Sequence, residues 1–176
     1  MARPGPTSLI DRVDDLNRTV GTVARARVFD EHANFRTVHV LVFDHDGALL
    51  LQQLSATRER NPLQWGSSVA GYMYAGESYD EAAHRRLSEE LGLQTPLNPL
   101  GVTMMLDEGV KKFVGVYTTV ADHPVIEEPD HIAQLQFVPP RLVEEDIDQD
   151  PGNYTDTLKH VLSYVIGVQG GLEPPT

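Results

Sequence analysis

One stretch restricts the fold of this chain more than any other: residues 71–93, GYMYAGESYDEAAHRRLSEELGL. Glycines at 71, 76 and 92 punctuate it. Ser78 to Leu91 between them has helix propensity throughout, with Gly92 as a natural C-cap. Ala82, Ala83, Leu87 and Leu91 recur at helical spacing and predict a stripe packed against other structure. Arg86, Glu89 and Glu90 share a different face. Glu77, at the loop-to-helix junction, can point back along that face. Carboxylates converging near a helix start can hold a hard cation such as Mg²⁺ through oxygen ligands. Such a cation would neutralise a diphosphate and orient a water toward phosphorus. The same residues also spell two ion-pair ladders, Glu81–Arg85–Glu89 and Arg86–Glu90, each pair worth about 0.2–0.5 kcal/mol on an exposed helix. Ladders alone do not require the three glycines.

The rest of the chain supplies partners for that helix. Asp11 to Arg18 is polar, and Asn17 through Gly21 can turn between two short strands. TVHVLVF at 37–43 is apolar on both faces, as a central strand requires. DHDG at 44–47 is a turn, and Ala48 to Leu54 completes a hairpin. Ser68 to Tyr74, Phe113 to Val120 and Leu135 to Val138 read as further strands. Arg141 to Asp146 reads as a small helix. Asp156 to Val168 reads as the last helix, with Leu158, Val161, Leu162, Val165 and Ile166 on one face. Strands interleaved with helices predict an α/β class chain, a sandwich of helices over a mixed sheet. No repeat or composition shift divides it. A single domain is expected over 9–169, with flexible tails at 1–8 and 170–176.

Composition narrows the chemistry. The 176 residues contain 14 Lys plus Arg and 26 Asp plus Glu, a formal charge of −12. That field opposes binding to a nucleic acid polymer or an anionic membrane surface. A phosphate-bearing substrate would need a local basic cluster or a metal ion. There is no cysteine, which removes disulfides, thiolate nucleophiles and zinc–thiolate sites together. Nothing reads as a signal sequence or a transmembrane run, so a cytoplasmic location and a monomer or homodimer are the expectations. Seven histidines lack H-x-x-x-H spacing, which argues against zinc.

Residues 71–93 resemble the Nudix box, G-x5-E-x7-R-E-U-x-E-E-x-G-U with U aliphatic. Gly71, Glu77, Arg85, Leu87, Glu89, Glu90, Gly92 and Leu93 stand where the pattern wants them, and Arg86 replaces one Glu. Pro62 and Trp65 resemble the family's approach to the box, with Leu63 in place of a Gly. The resemblance implies a Nudix-type α/β/α sandwich that hydrolyses a small-molecule diphosphate with Mg²⁺ or Mn²⁺. It makes Glu90 the principal metal ligand, Glu89 a second ligand or water-orienting group, and Glu77 an auxiliary acid. Arg85 becomes the residue that fixes the box by pairing with a carboxylate. Arg86 offers no ligand and would compete with the cation for Glu90.

The same stretch resembles isopentenyl diphosphate isomerase, a Nudix-fold enzyme whose box often carries Arg at position 86. The isomerase chemistry needs a cysteine where this chain has Ala70 and a histidine where it has Tyr72. Its paired acids fall near Val110 and Lys112, and another histidine near Phe35. Three readings stay open: a diphosphate hydrolase, a weak or inactive module binding a phosphorylated ligand or a protein, and an isomerase-like enzyme. Further candidates are Arg58 and Arg60, in the loop before Pro62, and Lys112, as diphosphate contacts, because guanidinium offers several fixed donors. His39 is a candidate cleft residue. In the acidic loop 127–130, Asp130 is the first choice for an extra carboxylate and Glu128 the second. Ser67 and Ser68 read as loop hydroxyls. The helix 78–91 should place Ala83 and Leu87 inward and Glu89 and Glu90 toward an open, solvent-facing cleft.

Overall fold

A computed structural model describes residues 4–176. The chain runs β1 (Leu9–Val13), β2 (Thr19–Ala24), β3 (Phe35–Phe43), β4 (Leu49–Leu54), β5 (Trp65–Gly66), β6 (Val69–Tyr72), α1 (Tyr79–Leu91), β7 (Asn98–Asp107), β8 (Val110–Val120), β9 (Ile132–Val138), α2 (Pro140–Gln149) and α3 (Asp156–Gln169). β1 and β2 form a separate antiparallel hairpin, turned at Asn17 with φ 63°. The other strands form one mixed sheet, ordered β5-β4-β3-β8-β7, with β6 added to β3 and β9 to β4. β3 and β8 are parallel, in register from Phe35↔Lys112 to Phe43↔Val120.

Alternation along β3 explains the layers. Val38, Val40 and Val42 point to one face, where they meet Ala82, Ala83, Leu87 and Leu91 of α1. Leu41 and Phe43 point to the other, against Leu158, Val161, Leu162 and Val165 of α3 and Val143 of α2. Fully burying each such aliphatic side chain contributes about 1.5–3 kcal/mol, so both helices are held by their stripes. The result is the α/β/α sandwich with a mixed sheet. α1 begins on a reciprocal capping box, in which Ser78 accepts from the Glu81 N–H and Glu81 from the Ser78 N–H. It ends at Gly92 in the left-handed region. No helix among the described residues is long and apolar enough to cross a membrane.

The hairpin expected at 37–54 exists, but β3 and β4 pair only at Phe43↔Leu49. Beyond that rung they separate. β3 pairs with β6, and β4 with β5 and β9. Ser68 spans the gap: its hydroxyl accepts from the Val42 N–H at 2.9 Å and donates to the Leu50 carbonyl at 2.6 Å. As expected, it is a loop hydroxyl, between β5 and β6. The residue is fully buried and replaces a missing backbone rung.

β7 has no counterpart in the sequence reading. It is an edge strand with Pro99 near its start and Gly101 at φ 104°, and Val102, Met104 and Leu106 are its exposed large apolar side chains. The usual apolar-in, polar-out alternation is therefore missing. The expected tails are partly packed. Pro4 is buried and Ala26 N–H bonds to the Pro6 carbonyl. Leu172 is buried on the α3 side of the core. Residues 1–3 of the N-terminal tail lie outside the described ones.

Candidate active site

The separation of β3 from β4 opens a pocket of about 410 Å³. One end is built by the box helix. Arg86 is 1% exposed and is the centre of this end. Its guanidinium lies 2.7 Å from Glu89, 3.1 Å from Glu90 and 3.1 Å from Glu128. Glu90 is fully buried behind it, where Oε2 accepts the Ala70 N–H at 3.1 Å and Oε1 lies 3.4 Å from His131 Nε2. The expected solvent-facing Glu90 is corrected here: β6 and the 127–131 loop close over it, and Arg86 and His131 form the pocket wall. Burial pushes the Glu90 pKa up, but Arg86, His131 and the Ala70 amide outweigh it and hold the carboxyl below its ordinary value. Burial likewise opposes the Arg86 charge, and Glu90, Glu128 and Glu89 hold its pKa above the ordinary guanidinium value.

Glu77 and Arg85 form the next layer. Arg85 donates to both Glu77 oxygens at 2.7 and 2.9 Å, to Glu89 at 3.1 Å and to the Tyr72 carbonyl at 3.1 Å. Glu77 also accepts the Tyr74 N–H at 2.8 Å. Its oxygens are thus turned to the start of the helix. Gly71 explains the box's first fixed glycine. A Cβ there would stand 2.5 Å from Arg86 Nε and 2.9 Å from its Cδ. Gly71→Ala should therefore displace Arg86 and cost about 1–3 kcal/mol, read as a fall in Tm of several degrees. An unchanged Tm would mean that Arg86 is free to move.

The pocket's other end lies along β3 and β8. Lys112 Nζ donates to Asp107 at 2.9 Å and to Thr157 at 2.7 Å. Arg60 reaches the same Asp107 at 2.6 Å. His39 is buried and shares a hydrogen with Ser67 at 2.8 Å. Burial, helped by Lys112, pulls its pKa down to about 3, so it is neutral near pH 7. Burial lowers the Lys112 pKa, while Arg60 and Lys112 outweigh burial to hold Asp107 below its ordinary value.

The structure thus gathers Glu89, Glu90, Glu128 and Arg86 at one end and Arg60 and Lys112 at the other, with His39 between them in the field of both Lys112 and Glu90. Arg58 joins the first end, its Nη1 2.7 Å from His131 Nε2. Asp130, the first choice in the acidic loop, is exposed, while Glu128 turns inward onto Arg86. The His131 N–H and Ile132 N–H both bond the Glu128 carbonyl, a turn that points 128 and 131 to one side. Neither signal by which a histidine can be read, metal-type spacing or strand alternation, marks His131, which enters the site through this turn. Asp107 lies in β7, a strand the sequence pattern does not show, and Gln52 lies in a strand read as pairing with β3 that at this position pairs instead with β5 and β9.

The donor set can be tested against a divalent cation. Ligand atoms of Glu90, Glu128 and His131 lie within 4.8 Å of one another. Glu89 Oε1 is buried without a hydrogen-bond partner among the described residues. Four carboxylates, Glu77, Glu89, Glu90 and Glu128, face two guanidinium groups, Arg85 and Arg86. Counting Arg58 at the same end, the formal charge is −1. Hard oxygen donors, an orphaned acceptor and an excess of negative charge fit a divalent ion such as Mg²⁺ or Mn²⁺.

Comparison with known proteins agrees with this geometry. The NUDIX domain family model matches residues 33–158. An isopentenyl-diphosphate Delta-isomerase of Nocardia farcinica is 32% identical over 164 residues, 87% of this chain and 91% of its own. An uncharacterised Nudix hydrolase of Pseudomonas aeruginosa is 29% identical over 139 residues, 78% and 82% of the two chains. A solved Deinococcus radiodurans structure shares the fold, with a TM-score of 0.75 at 23% identity over 87% of this chain and 96% of its own. With its box helix, its sandwich and a family match across most of its length, this chain belongs to the NUDIX domain family and resembles the isopentenyl diphosphate isomerase branch of it.

Proposed function

We propose that the protein hydrolyses a diphosphate linkage in a small organic diphosphate, with Mg²⁺ or Mn²⁺ held by Glu90, Glu128 and Glu89 beside His131. The observation that carries this reading is the convergence of those donors, within 4.8 Å for Glu90, Glu128 and His131. A bound divalent ion would supply Lewis acidity and charge neutralisation toward the diphosphate. The chain's own groups do the rest. Arg58, on the pocket side of His131, contacts the diphosphate and fixes its orientation through charge-assisted hydrogen bonds. Glu89 Oε1, the buried acceptor without a partner, orients the attacking water toward phosphorus. Glu77, held in two hydrogen bonds by Arg85, fixes the start of the box helix and so the direction of Glu89.

The positions where isomerase chemistry needs its own groups support hydrolysis instead. Ala70 offers its N–H to Glu90, Tyr72 stacks on Phe35 at 5.5 Å, and Lys112 is paired with Asp107. A second reading is a ligand-binding module without turnover. It is favoured by one observation: Arg86 already lies 3.1 Å from both Glu90 and Glu128, as a cation within the fold.

The test is product release from a panel of nucleoside-linked and isoprenoid diphosphates, with Mg²⁺ or Mn²⁺ against chelator. Metal-dependent cleavage of any member is the expected result. Binding of diphosphates with no cleavage under any metal would establish the module reading. Conversion of isopentenyl to dimethylallyl diphosphate would overturn both.

A further inference from the structure

We propose that the end of the pocket formed by Arg25, Arg60 and Lys112 is a second anion subsite, which takes a carboxylate or phosphate group carried by the substrate away from its diphosphate. The inference rests on the proposed function for where the diphosphate lies, but the subsite stands on its own geometry.

Arg25, Arg60 and Lys112 all line this end of the pocket. Facing them is a single buried carboxylate, Asp107, which pairs with both Arg60 and Lys112; the other acids that act on them, Glu108 on Arg60 and Asp156 on Lys112, are exposed, as is Glu59 on the rim. One carboxylate divided between two cations leaves positive charge uncompensated at an otherwise buried Lys112. Arg25 lies over the Tyr72 ring at 5.4 Å and Arg60 over the Phe29 ring at 4.8 Å. Both guanidinium groups are thereby steered by aromatic faces, and neither needs a further carboxylate to hold its place.

Two atoms point to a missing ligand. Thr37 is 7% exposed and lines the pocket, yet its hydroxyl has no hydrogen-bond partner among the described residues. Arg25 Nε is likewise buried without a partner. A buried donor left unpaired is costly, and an oxyanion with several lone pairs would satisfy both while neutralising Lys112. The start of α3 adds to the same field: Thr157, in its first turn, is hydrogen-bonded to Lys112 Nζ, and helix N-termini favour anions.

The two ends are separate. Lys112 is opposite Phe35 on β3, while Ala70, which binds Glu90, is opposite His39. Four strand residues correspond to about 13 Å. A diphosphate at the Glu90 end therefore leaves the Lys112 end to another part of the substrate. The lining between them is mixed, with His39, Ser67 and Gln52 beside Thr37 and Ala70. Cationic groups at both ends, Arg58 at one and Lys112 at the other, select a doubly anionic substrate.

The test begins with inorganic phosphate titrated calorimetrically in chelator, so that neither metal nor turnover is involved. Wild type should show one saturable site. Lys112→Met and Arg25→Gln should each weaken it about tenfold or more, the loss of one charge-assisted contact. Asp107→Asn should tighten it by freeing two cations, and Glu90→Gln should leave it unchanged. No saturable binding overturns the proposal. So does binding that is lost in Arg58→Ala but kept in Lys112→Met, which would place the phosphate at the other end. Three dinucleotides that share one diphosphate then separate the sources. If a phosphate is recognised, NADP⁺ should bind more tightly than NAD⁺. If a carboxylate is recognised, nicotinic acid adenine dinucleotide should. Equal affinity for all three in wild type overturns the subsite even if hydrolysis is found. An intact preference in a protein without hydrolase activity would sink only the proposed function.

Discussion

Replacing Arg86 with Met should lower stability by about 3–5 kcal/mol, the cost of removing one partner from a buried charge cluster. For a domain of this size that is a fall in Tm of about 6–20 °C. Met fills much of the same volume, so the loss is mainly electrostatic. Glu89, Glu90 and Glu128 would lose the one guanidinium that touches all three, and Arg85 touches Glu89 alone of them. Mn²⁺ should then stabilise the variant more than wild type, because the ion would fill the gap left by the guanidinium. Arg86→Glu should bind Mn²⁺ more tightly still, since it adds an oxygen ligand. Thermal melts with and without Mn²⁺, together with calorimetric titration, read all three. A metal-free Arg86→Met that melts with wild type would show that Arg86 is not the counter-ion of this cluster.

Glu90→Gln should abolish metal-dependent turnover. Loss of a group that only supports a metal ligand costs about 10–100-fold, so losing a ligand should cost at least about a hundredfold. The fold should survive. The Gln carbonyl can still accept the Ala70 N–H, and Arg86 keeps Glu89 and Glu128. The stability cost should be about 1–3 kcal/mol, with a distinct pH signature. The folded Glu90 pKa is held below its ordinary value. Its contribution is therefore full above the unfolded carboxyl pKa and is lost as pH falls through the folded one. The gap in Tm between wild type and Glu90→Gln should be widest near neutrality and close in acid. Melts across that range check it, and a gap that widened in acid would contradict the Arg86–Glu90 pairing. Wild-type turnover in Glu90→Gln would remove Glu90 from the metal site.

The layers of the fold were legible because their signal is local. The stripe of Ala82, Ala83, Leu87 and Leu91 needs only the helical period, and the two-faced apolarity of 37–43 needs only a strand buried on both sides. β7 was not legible, because its outward Val102, Met104 and Leu106 reverse the pattern that marks a half-buried strand. The separation of β3 from β4 was hidden for another reason: it depends on Ser68, a side chain acting in place of backbone. At the candidate site, the box spacing pointed to Glu77, Arg85, Glu89 and Glu90 as a group, and they do meet around Arg85 and Arg86. It could not give the burial of Glu90, which comes from β6 and the 127–131 loop. Asp130 and Glu128 are two residues apart in an acidic run, and only the turn geometry decides which faces inward. Arg86 read as an intruder among acids. In three dimensions it is what allows three of those acids to share a small volume.

The parallel pairing of β3 with β8 has a consequence for the order in which the molecule comes together. Phe35 meets Lys112 across 77 positions of sequence, so closing that loop is entropically demanding and non-local contacts of this kind slow folding. On a ribosome, the box helix emerges well before β8 or the loop that carries Glu128 and His131. Arg86 already has Glu89 and Glu90 within one helical turn, so the nascent helix carries matched charges while it waits. Glu128 and His131 arrive later with the long-range sheet. The cationic end of the pocket, which hangs on Lys112, cannot exist before that pairing. The two ends should therefore mature at different times, the acidic end first in part and the basic end only with the last rungs of the sheet.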